Sequence, residues 1–126
     1  MRVLIVDDHA PLAAMTRMAL EWAGYSVEVA HHGWLALARA ERFRPDVVVC
    51  DLHLPDIDGT EVASRLRATA HGASMVLIAC SGETPEDAAA TVLAAGFDAF
   101  LEKPVEIRRL LATIEAAGGA RVGARG

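Results

Sequence analysis

The chain has 126 residues, 53% of them hydrophobic, which suits one domain that buries its own core without disulfides or a structural metal and leaves no room for a second. A formal charge of -5, with no run of lysine or arginine, argues against a nucleic-acid surface. No apolar stretch approaches a membrane span, and Asp7 interrupts the amino-terminal apolar run before a signal peptide could form, so a soluble cytoplasmic protein is expected.

In chain order, strand-like apolar runs at 2 to 6, 26 to 30, 46 to 50, 75 to 80 and 98 to 101 alternate with segments of helical period, the pattern of βαβ units and a parallel sheet covered on both faces. In the first helix Leu12, Met15, Ala19, Trp22 and Ala23 fall on one face, Pro11 suits the first turn and Gly24 the stop. The second helix covers 33 to 43, with Pro45 placed to end it. Asp58 followed by Glu61 predicts a capping box for the third, and Thr84 with Asp87 does the same for the fourth, which Gly96 closes. Ile107, Leu110, Leu111 and Ile114 keep a core-facing spacing in the fifth. Residues 118–126 are aperiodic and glycine-rich and read as a flexible tail, which bounds the domain at 1–117.

Chemistry gathers where strands end. Val3 to Val6 runs into Asp7-Asp8, Val47 to Cys50 into Asp51, Met75 to Cys80 into Ser81, and the fifth run into Lys103. If these strands are neighbours, their carboxyl ends bring three carboxylates, one ammonium and one hydroxyl to a single site. Crowded carboxylates repel one another unless a cation holds them, so the cluster calls for a hard divalent metal with oxygen ligands. Cys50 and Cys80 read as small buried thiols, with a redox pair across neighbouring strands as the alternative. Histidines 9 and 53 flank the pocket without zinc-ligand spacing, histidines 31, 32 and 71 read as surface residues, and Trp22 and Trp34 as helix packing.

The motifs Val-Asp-Asp-His at 6 to 9, Asp51-Leu-His-Leu-Pro-Asp-Ile-Asp-Gly59, Cys80-Ser81-Gly82 and Gly96 to Pro104 together resemble the receiver domain of two-component response regulators, over roughly residues 1 to 117. The resemblance implies a flavodoxin-like α/β fold, a five-stranded parallel sheet of order 2-1-3-4-5 with helices on both faces. It implies that Asp51 accepts a phosphoryl group from a phosphohistidine on a sensor histidine kinase or phosphotransfer protein. Mg2+ would be held by Asp8, Asp51 and the His53 backbone carbonyl, with Asp7 reaching it through water. Lys103 would pair with the phosphoryl oxygens and Ser81 would hydrogen-bond the phosphoryl group. Ser81 and Phe100 would form a switch read by a protein target on the fourth helix, fifth strand and fifth helix; relatives mostly carry tyrosine where Phe100 stands. A cis Lys103-Pro104 bond is implied as well. His53 and Glu83 overhang the acceptor and are expected to tune hydrolysis of the acyl phosphate.

On this reading the chain is a phosphorylation switch or relay rather than an enzyme, with self-catalysed phosphorylation and dephosphorylation. It has no output domain after the fifth helix, so binding to another protein would carry the signal unless the natural chain continues. Three alternatives stand beside it. A Mg2+-dependent aspartyl phosphatase of the haloacid dehalogenase type would need a second acid where His53 stands. A flavin or nucleotide binder would need glycines where Asp7-Asp8-His9 stands. An interaction-only receiver would leave the acidic pocket chemically silent.

Overall fold

The computed structural model describes residues 1–125, and side-chain surroundings as far as Ala117. Its elements alternate without exception: β1 (Arg2–Val6), α1 (Ala10–Trp22), β2 (Ser26–Ala30), α2 (Gly33–Phe43), β3 (Val47–Asp51), α3 (Gly59–Arg67), β4 (Val76–Ser81), α4 (Pro85–Ala95), β5 (Ala99–Glu102) and α5 (Ile107–Arg125), with a short 3-10 turn at Gly72–Ser74. The strands form one sheet of order β2-β1-β3-β4-β5 in which every pairing is parallel, as expected. Among the described residues no helix is long and apolar enough to cross a membrane.

The three central strands are buried on both faces, which is why their sequences are continuously apolar rather than alternating. Their pleat still divides them. Leu4, Val6, Val48, Cys50, Leu77 and Ala79 pack under α2, α3 and α4. Val3, Ile5, Val47, Val49, Ile78 and Cys80 pack under α1 and α5. Each fully buried Leu, Ile or Val contributes on the order of 1.5–3 kcal/mol, so the sheet rather than any helix anchors the fold.

Helix α1 corrects the sequence reading. The face carrying Leu12, Met15 and Trp22 looks outward, with these side chains 41%, 67% and 93% exposed, and the sheet is met instead by Ala13 and Leu20. Ala13 lets the helix lie close to the sheet, and Leu20 joins the core that the strand side chains form beneath it. Trp22 is therefore not helix packing, whereas Trp34 takes the Arg65 guanidinium of α3 over its ring at 4.8 Å.

Capping is also only partly as expected. Thr84 Oγ1 accepts from Asp87 N and donates to the Asp87 carboxylate, and Gly96 closes α4 at φ 97°. At α3 the box does not form: Asp58 is the N-cap residue but makes no side-chain cap, and Glu61 turns to Arg65 at 3.5 Å. Gly59 explains the difference, because a side chain there would collide with the Asp51 carbonyl and Leu52; α3 starts pressed against the end of β3. The backbone of α5 continues as helix to Arg125, through the stretch expected to be a tail, and the side-chain surroundings of residues 118–126 lie outside the described residues.

Arg67 ties the amino-terminal end of the sheet together. Its Nε donates to the Gly96 carbonyl at 2.9 Å, its Nη1 to those of Gly72 and Met75 at 2.8 and 2.6 Å, and its Nη2 to Asp98 Oδ2 at 2.7 Å. Asp98 Oδ2 also accepts from Leu77 N at 2.9 Å. One guanidinium thereby holds the end of α3, the 3-10 turn, the entry to β4 and the α4–β5 turn.

Candidate functional site

The opposite, carboxyl-terminal end of the sheet carries the acids. β1 delivers Asp7 and Asp8, β3 ends on Asp51, β4 ends on Ser81, and Lys103 follows β5; the three acids and Lys103 converge, and Ser81 stands at the end of the strand beside β3. One carboxylate oxygen each from Asp7, Asp8 and Asp51 lies within 4.8 Å of the others. Lys103 Nζ donates to Asp51 Oδ2 at 2.8 Å and lies 4.0 Å from Asp7 Oδ2. Burial alone would lower the Lys103 pKa, but the hydrogen bond to Asp51 and the charge of Asp7 outweigh it and raise it above the ordinary lysine value.

Local backbone geometry orients these acids. Asp7 Oδ1 accepts from His9 N at 2.9 Å and Asp51 Oδ1 from His53 N at 3.1 Å, each carboxylate closing a turn on the amide two residues on. His9 serves α1, its Nδ1 accepting from Leu12 N as an N-cap. Asp8 is exposed, and among the described residues its carboxylate has no hydrogen-bond partner. Three carboxylates against one ammonium leave surplus negative charge, and the donors on offer are all oxygen. That is the donor set of Mg2+ and not of zinc, so the residues fit the implied ion.

Ser81 is fully buried, and its Oγ accepts from Glu83 N at 3.1 Å. Phe100 is half-buried and pairs in register with Ala79, so its side chain shares the sheet face of Ala79 and Ser81. Glu83 Oε1 meets His53 Nε2 at 3.0 Å, a bridge between the β3–α3 and β4–α4 loops. The Lys103-Pro104 bond is cis.

The cysteines are both buried, but the redox pair fails on geometry. Cys50 lies in the core under α2 to α4 and Cys80 in the core under α1 and α5, on opposite faces of the sheet. Burial pushes the Cys80 thiol up to about 12 and the Cys50 thiol higher still, so both stay protonated.

Two supporting residues escaped the sequence reading. Asp56 reaches from the β3–α3 loop to the start of α2, accepting from Gly33 N and Trp34 N at 2.8 Å each. Burial would raise its pKa, but these amide bonds outweigh it and hold the carboxyl well below the usual range. His31 Nδ1 lies 3.0 Å from the Asp7 carbonyl oxygen, fixing the β1 loop to the end of β2. Asp56 stands in the sequence only as part of the motif after Asp51; its partners lie 22 and 23 positions away and no local pattern names them.

Comparison with known proteins places this geometry. The chain is 35% identical over 113 residues to the transcriptional regulatory protein TrcR of Mycobacterium tuberculosis, covering 90% of this chain and 43% of that one. It is 39% identical to the response regulator MprA of Mycobacterium leprae, covering 92% of this chain and 50% of that one, so it spans about half the length of these curated relatives. The CheY-like receiver domain protein of Methanospirillum hungatei superposes with a TM-score of 0.90 at 32% identity, covering 98% of this chain and 97% of that one. The receiver domain of the sensor histidine kinase PA1611 of Pseudomonas aeruginosa, solved with magnesium in its active-site cleft, superposes with a TM-score of 0.85 at 27% identity, covering 94% of this chain and 97% of that one. The response regulator receiver domain family matches residues 3–115 and, with the sheet order and the acidic pocket, this makes the chain a member of that family, a signalling domain of two-component systems.

Proposed function

We propose that Asp51 is the phosphoacceptor of a receiver unit spanning residues 1–117, taking a phosphoryl group from a phosphohistidine on a histidine kinase or phosphotransfer protein. The observation that carries this is the Asp51–Lys103 contact of 2.8 Å inside a cluster of three carboxylates, where a nucleophile and a cation face the same opening. An Asp51 carboxylate oxygen bonds to phosphorus while the P–N bond of the donor breaks, and the imidazole nitrogen keeps that electron pair. Lys103 answers the charge on the phosphoryl oxygens, and its 2.8 Å contact keeps it beside Asp51 before transfer. Asp8, Asp51 and the His53 carbonyl would hold Mg2+, with Asp7 behind a water, and the ion would supply charge neutralisation between the two anionic reactants.

After transfer, the Ser81 hydroxyl turns from Glu83 N to the phosphoryl group, and Phe100 moves inward on the same sheet face. The exposed surface of α4, β5 and α5 is the readout for a protein target. His53 and Glu83, bridged at 3.0 Å, restrict the approach of water to the acyl phosphate. The hydrolase alternative is disfavoured because residue 53 is a histidine engaged with Glu83 where a second acid would be needed.

The test is incubation with Mg2+ and a small acyl-phosphate donor, followed by separation of phosphorylated from unmodified chains. Wild type should acquire one hydroxylamine-labile phosphoryl group and Asp51→Ala none. An unlabelled wild type, or acid-stable label on Asp51→Ala, overturns the reading.

A further inference from the structure

Arginines scattered through the sequence meet at the end of the sheet away from Asp51, although no cluster was visible in the sequence. Arg2 opens β1, and Arg39 and Arg42 stand three apart on α2 and so share a helix face. With Ser26, Glu28 and Phe43 they line a surface cavity of about 470 Å³, within the size range of small-ligand sites.

Only one carboxylate, that of Glu28, belongs to this lining, and its Oε1 is 3.8 Å from Arg39 Nη1, too far for a hydrogen bond. Asp46, nearby, accepts from the Arg2 backbone amide at 2.8 Å. Helix stabilisation accounts for two of the cations: Arg42 lies in the last turn of α2, and Arg2 Nη1 donates to the Phe43 carbonyl at 3.0 Å. It does not account for Arg39, a turn earlier. Arg39 Nε is the one buried side-chain polar atom among the described residues that has no hydrogen-bond partner. A buried orphan of this kind calls for an explanation, and an ion bound beside Arg39 is one that suits the charge of this lining.

Guanidinium forks match the geometry of phosphate oxygens, and three cations against one carboxylate leave a surplus that a dianion neutralises. We propose that this cavity binds a phosphate dianion, as free phosphate or as a nucleoside monophosphate, through Arg39 and Arg42. The site is independent of phosphorylation at Asp51.

The test is an amide-shift titration of the whole chain in EDTA with inorganic phosphate, AMP, adenosine and, for ionic strength, sodium chloride. Phosphate or AMP should give saturable shifts at Ser26 and at residues 39 to 43, and adenosine and chloride none. The Arg39→Gln/Arg42→Gln variant should weaken binding about tenfold or more while its labelling at Asp51 is unchanged. Should that variant not fold, Arg39→Lys, which keeps charge but loses the fork, should also weaken binding. AMP binding tighter than phosphate assigns an ester ligand, and equal affinities assign free phosphate. Non-saturating shifts, shifts confined to the Asp7 and Lys103 end, or unchanged affinity in the variants overturn the proposal.

Discussion

Each end of the sheet carries an aspartate paired with a cation at nearly the same distance, 2.7 Å for Arg67–Asp98 and 2.8 Å for Lys103–Asp51, yet the two pairs do opposite work. Around Arg67 three backbone carbonyls and a carboxylate take all but one of the guanidinium donors, and its charge is answered by Asp98, so little is left to draw a further ligand. Around Lys103 one ammonium faces three carboxylates, and the imbalance is an invitation to a further cation. A satisfied pair stabilises a fold; an unsatisfied one stores the capacity to react.

The sharpest way to break the comparison is to exchange losses. Asp51→Asn should remove all phosphoryl label, read by gel separation, while its thermal midpoint is unchanged or raised because one crowded charge is gone. Arg67→Ala should do the reverse, costing about 3 kcal/mol in denaturant unfolding through stranded carbonyls and the loss of the cation beside Asp98, with labelling of the folded fraction intact. Mg2+ at ten times its dissociation constant should stabilise wild type by about 1.4 kcal/mol in a thermal-shift assay, and Asp8→Asn should abolish that gain.

The smallest effects lie at the pH extremes and separate the two kinds of charge. Lys103 titrates above its unfolded value, so its contribution is whole below a pH of about 10.4 and is lost as pH rises through the folded pKa. Asp56 titrates below its unfolded value, so its contribution is whole above a pH of about 3.9 and is lost as pH falls toward the folded pKa. In a stability-versus-pH curve, Lys103→Met should flatten the alkaline limb and Asp56→Asn the acid limb.

Strand positions and the acidic pocket were legible because the sheet imposes its own grammar: an apolar run followed at once by Asp7, Asp51 or Ser81 marks a strand end wherever the helices go. The inner face of α1 was not legible. Leu12, Met15 and Trp22 satisfy the helical period as well as Ala13 and Leu20 do, and only the bulk of the strands beneath decides which set turns inward. The Asp58 capping box failed for a related reason, since the contact of Gly59 with β3 sets how α3 begins. The Arg67 knot and the Arg39 cavity depend on partners far apart in sequence, which composition cannot register.

The placement of Cys50 and Cys80 on opposite sides of one sheet equips the molecule with two independent reporters. Because each protonated thiol is sealed beneath a different set of helices, its alkylation rate in the matching single-cysteine variant times how often that layer lifts away. Comparing the two rates with and without phosphodonor would tell which layer of the protein loosens when the signal arrives.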